Sequence, residues 1–260
     1  MILLLSPAKS LELNTPISCT LASQPQFDRD KKPIVDQLKK LKVEQIASTF
    51  ALSEKLAELN YLRYQALGSK ESLIHSRQAI FTFDGEVYVG LDAYSLDKKM
   101  YEFTNETVRI LSGLYGVLNP FDLIEPYRLE MGSKLSIGKH KNLYSFWSDK
   151  VTKSINADLK NSTHLLNLAS QEYMKVVHPQ EIVKPIIQFD FLEEDKKEWK
   201  NISFFSKKAR GLMARYLLDH KVKKINDIKD FDYERYSYLP KLSSETKMVF
   251  SRKYQPIWRA

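Results

Sequence analysis

The chain has 260 residues, 43% of them hydrophobic and 28% charged, with a formal net charge of +8; that is a globular composition, long enough to bury a sizeable core as one large domain or two small ones. No apolar run approaches the ~18 residues of a membrane span, the single cysteine, Cys19, excludes an internal disulfide and fits a reducing cytoplasm, and five scattered histidines with no His-x-x-x-His or Cys-x-x-Cys spacing leave a metal site without support. The charge is uneven, since residues 196–260 carry 17 Lys+Arg against 7 Asp+Glu while the rest carries 23 against 25, an asymmetry that points to a polyanionic partner.

At the start of the chain the continuous apolar run Ile2 to Leu5 reads as a strand buried on both faces rather than a signal peptide. It runs into Ser6-Pro7-Ala8-Lys9-Ser10. A cation just beyond the end of an interior strand stands where α/β sheets place ligand contacts, so Lys9 is a candidate for holding a phosphate or carboxylate. Residues 11–30, with Pro16 and Pro25, read as an irregular, exposed connection.

Residues 31–67 read as helical, with Leu38, Leu41, Ile46 and Phe50 in one apolar set and Leu52, Leu56, Leu59 and Leu62 in a second. The break between the sets makes Ser53 an N-cap for a helix from Glu54. Two helices about such a turn resemble a helix-hairpin-helix, which aims the N–H groups at the start of its second helix towards a DNA phosphate; Ser53 and Lys55 are the candidate contacts. Ala51 and Ser53 occupy places that this motif usually gives to glycine, and Glu54 adds a negative charge, so a plain helical hairpin packed on the core is the competing reading.

Ile80 to Leu91 alternates around Asp84-Gly85 and predicts a β-hairpin. Ser95 to Asn105 reads as a helix. Arg109 then lies within the apolar run Val108 to Leu118, where a charge needs a partner. The stretch from Ser112 to Gly132 holds three of the eight glycines together with Pro120 and Pro126. It cannot be one long helix. It is a stiff, turn-rich path that carries Tyr127, Arg128 and Glu130, and charges on such a path suggest a site; the alternative is an ion pair of Arg128 with Glu130 or Glu125 that staples a long loop.

After a loop to Asn142, a helical segment presents Phe146, Trp147, Val151 and Ile155. Leu165 to Ala169 reads as a short strand, with Ser170 capping a helix through Val177. Asn167, Ser170, Glu172 and Tyr173 then cluster at the carboxyl end of a strand, the usual ligand crevice. Glu172 is the best candidate general acid or base, against the plainer role of complementing a helix dipole. Pro185 to Leu192 and Ile202 to Phe205 read as strands joined by the charged turn around Glu193 to Lys200. Lys207 to Asp219 is amphipathic: Ala209, Leu212, Met213, Tyr216 and Leu217 form one apolar face, Lys207, Lys208 and Arg215 the other, around Gly211 and Ala214, with Arg210 at the border. The tail interleaves basic residues with Phe231, Tyr233, Tyr236 and Tyr238, a pattern that suits nucleic acid, although aromatics in a closing strand are more often core.

Four blocks carry a resemblance: Ser6-Pro-Ala-Lys-Ser10, the stretch Ser112 to Gly132, Asn167-Leu-Ala-Ser-Gln-Glu-Tyr173, and Lys207-Lys-Ala-Arg-Gly-Leu-Met-Ala-Arg-Tyr216. In this order, and over essentially the whole chain, they resemble the YaaA family of peroxide-stress proteins; Asn119 stands where members often carry arginine. The resemblance implies a family-specific fold, a cytoplasmic protein that binds double-stranded DNA, and a role in keeping unincorporated iron low under hydrogen peroxide.

The expected fold is mixed α and β (α+β), a central sheet with surrounding helices and a helical insertion at about 31–75, in one integrated domain over 1–260. DNA contact is expected at Lys207, Lys208, Arg210 and Arg215 as well as at the 50–54 turn, with weak sequence selectivity and strong salt dependence. No metal, other cofactor or membrane association is expected. The alternative is an enzyme acting on a nucleotide or on a base in DNA, with Lys9, Tyr127, Arg128, Glu130, Asn167 and Glu172 as its pocket. A third reading is a scaffold whose basic face meets an acidic protein.

Overall fold

The computed structural model describes residues 1–196 and 198–254. Eight strands form its main sheet: β1 (Ile2–Leu5), β2 (Val108–Ser112), β3 (Gly116–Leu118), β4 (Leu165–Asn167), β5 (Ile186–Asp195), β6 (Glu198–Lys200), β7 (Ser237–Tyr238) and β8 (Lys247–Lys253). Their spatial order is β7-β8-β5-β4-β1-β2-β3, with β6 paired on β5. The five strands β8, β5, β4, β1 and β2 run parallel, while β3, β6 and β7 pair antiparallel.

β1 lies inside the sheet, between β4 and β2, and all four of its residues are apolar and buried, as a strand covered on both faces requires. From β1 the chain passes to β2 on one side, then returns after β3 to β4 on the other side. The carboxyl ends of β1 and β4 therefore flank the point where the winding reverses. Open α/β sheets bind their ligands in the crevice that opens there.

The helices include α1 (Lys32–Leu38), α2 (Val43–Phe50), α3 (Glu54–Ala66), α4 (Glu86–Leu91), α5 (Leu143–Asp158), α6 (Gln171–Met174) and α7 (Ser203–Asp219), with others at Lys70–Ile74, Ala79–Thr82 and Tyr101–Thr107. Together, α1 to α3 form the helical insertion. α2 and α3 make a hairpin whose turn puts Ala51 in the left-handed region at φ 50°. Ser53 stands at the N-cap of α3 but makes no capping hydrogen bond through its side chain. The insertion is tied down by buried Lys31, whose Nζ lies 2.9 Å from Glu125 Oε2 and 2.6 Å from Asp28. Glu125 also accepts the Gly68 N–H at 2.6 Å. The ion pair anticipated for the central loop, Arg128 with Glu130 or Glu125, forms with Glu130 at 3.1 Å, while Glu125 takes Lys31 as its cation instead.

Arg109 finds the partner its burial demands, gripping Asp158 with Nε at 2.7 Å and Nη2 at 2.9 Å. The turn between β2 and β3 closes through Gly116 at φ 72°, where a Cβ would stand 2.9 Å from the Trp147 ring. Asn142 caps α5 by accepting the Ser145 N–H at 3.0 Å. The tail aromatics Phe231, Tyr236 and Phe250 are buried in the core. Among the described residues no helix is long and apolar enough to cross a membrane.

Three local expectations fail, each because tertiary packing overrides a local pattern. The segment around Asp84-Gly85 is not a hairpin: Ala79–Thr82 is a short helix, Phe83–Asp84 pairs with Ser10–Leu11, and α4 comes next. Its β-branched and aromatic residues favour strand, but Val87, Tyr88, Gly90 and Leu91 are buried at helical spacing. Ile202 to Phe205 opens α7 rather than forming a strand, with Ile202 as its N-cap. Finally, Gly211 and Ala214 do not lie between cations on a solvent face, since both are buried. At Gly211 an added Cβ would meet the Val87 carbonyl oxygen at 1.9 Å, so the small residues let α7 cross α4 at backbone contact rather than admitting a phosphate.

Candidate functional site

A cleft of about 280 Å³ opens at the reversal point of the sheet. The loop after β1 supplies Ser6 to Ser10, the path after β3 supplies Tyr127 to Glu130, and the turn after β4 supplies Ser170, Glu172 and Tyr173. Asp84 to Tyr88 and, from α7, Lys207 and Arg210 complete it. The ends of β1 and β4 are laced together directly, as the Ser170 N–H donates to Ser6 Oγ at 2.9 Å.

Its floor is aromatic. Tyr88, Tyr127 and Tyr173 are buried. The Tyr88 hydroxyl donates to the Ser6 carbonyl at 3.0 Å, and Tyr127 shares a 2.6 Å hydrogen bond with Ser112. Burial pushes all three phenols up, well clear of physiological pH. They stay neutral, so none acts as a phenolate base. With two of the hydroxyls tied into protein, these residues offer a ligand mainly ring surface.

The charged groups stand around this floor. Glu130 Oε1 lies 3.1 Å from Arg128 Nη2 and 3.6 Å from the exposed Lys9 Nζ. The backbone of Arg128 is held by the insertion, because buried Tyr64 on α3 donates its hydroxyl to the Arg128 carbonyl. Half-buried Arg63 lies near enough to Arg128 for the two charges to repel. Glu172 Oε1 accepts the Gly132 N–H at 3.0 Å, fixing the carboxylate at the cleft.

Of the residues expected to form a pocket, Lys9, Tyr127, Arg128, Glu130 and Glu172 line this cleft. Asn167 stands behind it. Its Nδ2 donates to Gln188 at 2.6 Å and its Oδ1 accepts the Ala169 N–H at 3.0 Å, so it shapes the turn that carries Ser170 and Glu172.

The residues expected to meet DNA divide. Lys207 is exposed and Arg210 half-buried, and both line the cleft. Lys208 is paired with Glu234 at 2.5 Å. Arg215 is held by Asp219 at 2.8 Å and by Ser95 Oγ at 2.7 Å, which pins α7 to the segment after α4. Ser53 and Lys55 are exposed at the start of α3, the end opposite to Tyr64.

Sequence reasoning did not place Asp84, Glu86 and Tyr88 at a site, because it assigned them to a hairpin. The available signal was Asp84-Gly85-Glu86, a glycine between two acids. Among the described residues no group of three or more His, Cys, Asp or Glu side chains could hold a metal ion.

A mostly parallel sheet flanked by helices, with a lined cleft at its winding reversal, defines an α/β protein whose cleft lies where open sheets of this kind place their ligand crevice. The family described as peroxide stress protein YaaA matches residues 1–242. A UPF0246 protein of Marinomonas sp. (strain MWYL1) is 44% identical over 249 residues, covering 96% of each chain. A UPF0246 protein of Hahella chejuensis is 42% identical over 256 residues, covering 98% of this chain and all of its own, and one of Flavobacterium psychrophilum is 41% identical over 250 residues. The chain therefore belongs to the YaaA family of peroxide-stress proteins.

Proposed function

We propose that this protein serves the peroxide-stress response in the cytoplasm by binding double-stranded DNA with weak sequence selectivity, and that it limits oxidative damage by keeping unincorporated iron low. The observation that carries the DNA part is convergence: Lys207 and Arg210, from the basic last quarter of the chain, meet Lys9 and Arg128 on one cleft. Asp84, Glu86, Glu130 and Glu172 line the same cleft, so its attraction for a phosphate backbone comes from the cations that lack an ion pair among the described residues, Lys207 and Arg210, at its α7 wall. Lys208 and Arg215, already bound to carboxylates, contribute less, and Ser53 with Lys55 form a separate contact at the exposed hairpin.

Fluorescence anisotropy of a labelled duplex across a salt series tests this. Each phosphate contact adds about 0.9 to the slope of log K against log salt, so Lys9→Ala with Lys207→Ala lowers the slope by about 2. Lys55→Ala lowers it by about 1 if the hairpin touches DNA. Absence of binding at low salt overturns the DNA reading. The iron role is tested by electron spin resonance of chelator-accessible iron in peroxide-treated cells with and without the gene; equal signals count against it.

A second reading, an enzyme acting on a nucleotide or on a base in DNA, is favoured by the position of Glu130 and Glu172 over an aromatic floor. In it Arg128 and Lys9 hold an anionic group, Glu130 or Glu172 moves a proton, and Asn167 acts as a positioning residue. Incubation with nucleotides and duplex, followed by chromatography of products, decides it, with Glu172→Gln as the inactive control.

A further inference from the structure

Four cations line the cleft, and they differ in one respect. Lys9 and Arg128 both have Glu130 as a carboxylate partner. Among the described residues neither Lys207 nor Arg210 has a carboxylate within salt-bridge reach. Arg210 is the more unusual. Among the described residues its Nε has no hydrogen-bond partner, and it is buried from solvent. Burial disfavours its charge, and the nearby Asp190 offsets this only in part, Asp190 itself being paired with Lys247 at 3.2 Å. A guanidinium always carries its charge in proteins, so a half-buried one that lines a cleft, with the nearby carboxylate already engaged elsewhere, has donors to offer an anion.

Two cations three residues apart on one helix face suit a dianion such as a phosphate monoester. The floor of neutral tyrosine rings suits a flat aromatic group. Glu130 and Glu172, on other walls of the cleft, can accept the ring N–H and amino hydrogens of a base such as guanine. The cavity of about 280 Å³ lies just below the ~300–1,000 Å³ usual for ligand sites, room for one nucleotide rather than two.

We propose that Arg210 and Lys207 form the phosphate subsite of a pocket for a single nucleotide unit, its phosphate against α7 and its base on the Tyr88, Tyr127 and Tyr173 floor. The phosphate monoester comes from a free 5′-mononucleotide or from the 5′-phosphorylated end of a DNA strand. The proposal rests on the reading of this cleft as the functional site and deepens it, and it stands apart from whether the outer surface also binds duplex.

Isothermal titration calorimetry with deoxyguanosine 5′-monophosphate, deoxyguanosine and inorganic phosphate tests it on the full chain. The mononucleotide is expected to bind at least tenfold more tightly than either fragment. Arg210→Met keeps the aliphatic packing and is expected to lose tenfold or more in affinity, while Arg210→Lys recovers part of it; thermal melts confirm that each variant is folded. Duplexes bearing a 5′-phosphate or a 5′-hydroxyl end, read by anisotropy, separate the two sources. Competition by the mononucleotide against the duplex, lost in Arg210→Met, assigns the subsite to DNA, and binding of the mononucleotide without competition assigns it to a free ligand. If neither the mononucleotide nor phosphate binds, and Arg210→Met leaves duplex affinity unchanged, the subsite is refuted while DNA binding stands.

Discussion

The crossing of α4 and α7 gives the sharpest test of the architecture, because both helices line the cleft and both carry a glycine at the contact. A methyl group at Gly211 would stand 1.9 Å from the Val87 carbonyl oxygen and 2.8 Å from the Leu91 nitrogen; one at Gly90 would stand 2.2 Å from the Lys208 oxygen. The obstructing atoms are backbone, so no side chain can turn aside. To restore ordinary contact the helices must part by more than ~1 Å. Overpacking of this kind costs about 1–3 kcal/mol, here near the upper end, against a gain of ~1 kcal/mol from replacing glycine by alanine within a helix. Gly211→Ala should therefore lose about 2 kcal/mol net, lowering the melting temperature by about 4–8 °C for a chain of this size. Gly90→Ala should behave alike, and the double variant should cost less than the sum, since one displacement relieves both clashes. Urea denaturation followed by circular dichroism measures all three. A Gly211→Ala protein as stable as the parent, or more so, would mean that only helix propensity is felt and that the backbones do not touch.

Three further outcomes are expected. Asp158→Ala leaves the Arg109 guanidinium without its carboxylate and should cost about 2–3 kcal/mol in the same denaturation experiment, with Asp158→Asn in between. Ala51→Gly relieves the left-handed conformation and should raise stability by about 0.5–1 kcal/mol, read as a higher urea midpoint at unchanged slope; a loss would show that the turn is not left-handed. Burial pushes the Glu125 carboxyl up, but the Gly68 N–H, Lys31 and Ser72 outweigh it and leave its pKa below the ordinary 4.5. A carboxylate depressed in the folded state contributes stability that is present above the unfolded pKa and lost as pH falls through the folded one. Between pH 4.5 and the acid transition, Glu125→Gln should thus show a shallower fall in stability than the parent. Burial raises Asp122, which works in the opposite sense but is common to both proteins. Equal slopes would remove Glu125 from the acid response.

The four blocks that carry the family resemblance also supply much of the cleft, so most of the candidate site was legible before any fold was known. Lys9 could be placed because Ile2 to Leu5 is apolar without interruption, which forces a central strand, and the loop leaving a central parallel strand lies at its carboxyl end. Glu172 could be placed for the same reason after Leu165 to Asn167. Arg109 announced a partner through the simple cost of burying a charge, and Asp158 proved to be it.

The features that the chain could not disclose by itself lie in contacts between distant segments. Local pattern cannot distinguish a short helix from a hairpin in Ile80 to Leu91, because the deciding energy comes from Gly90 meeting Gly211, some 120 residues away. Helical periodicity marked Lys207, Lys208, Arg210 and Arg215 as one basic face. Which of them is free depends on Glu234, Asp219 and Ser95, and no spacing rule reaches those partners. Sequence determined the apolar interior strands at Ile2–Leu5, Leu165–Asn167 and Ile186–Asp195, the charge surplus and the chemistry gathered at the strand ends, since these depend on local composition. Only the tertiary structure decided that Arg210 faces the cleft with its Nε unpaired, because whether a charge is satisfied depends on everything packed around it.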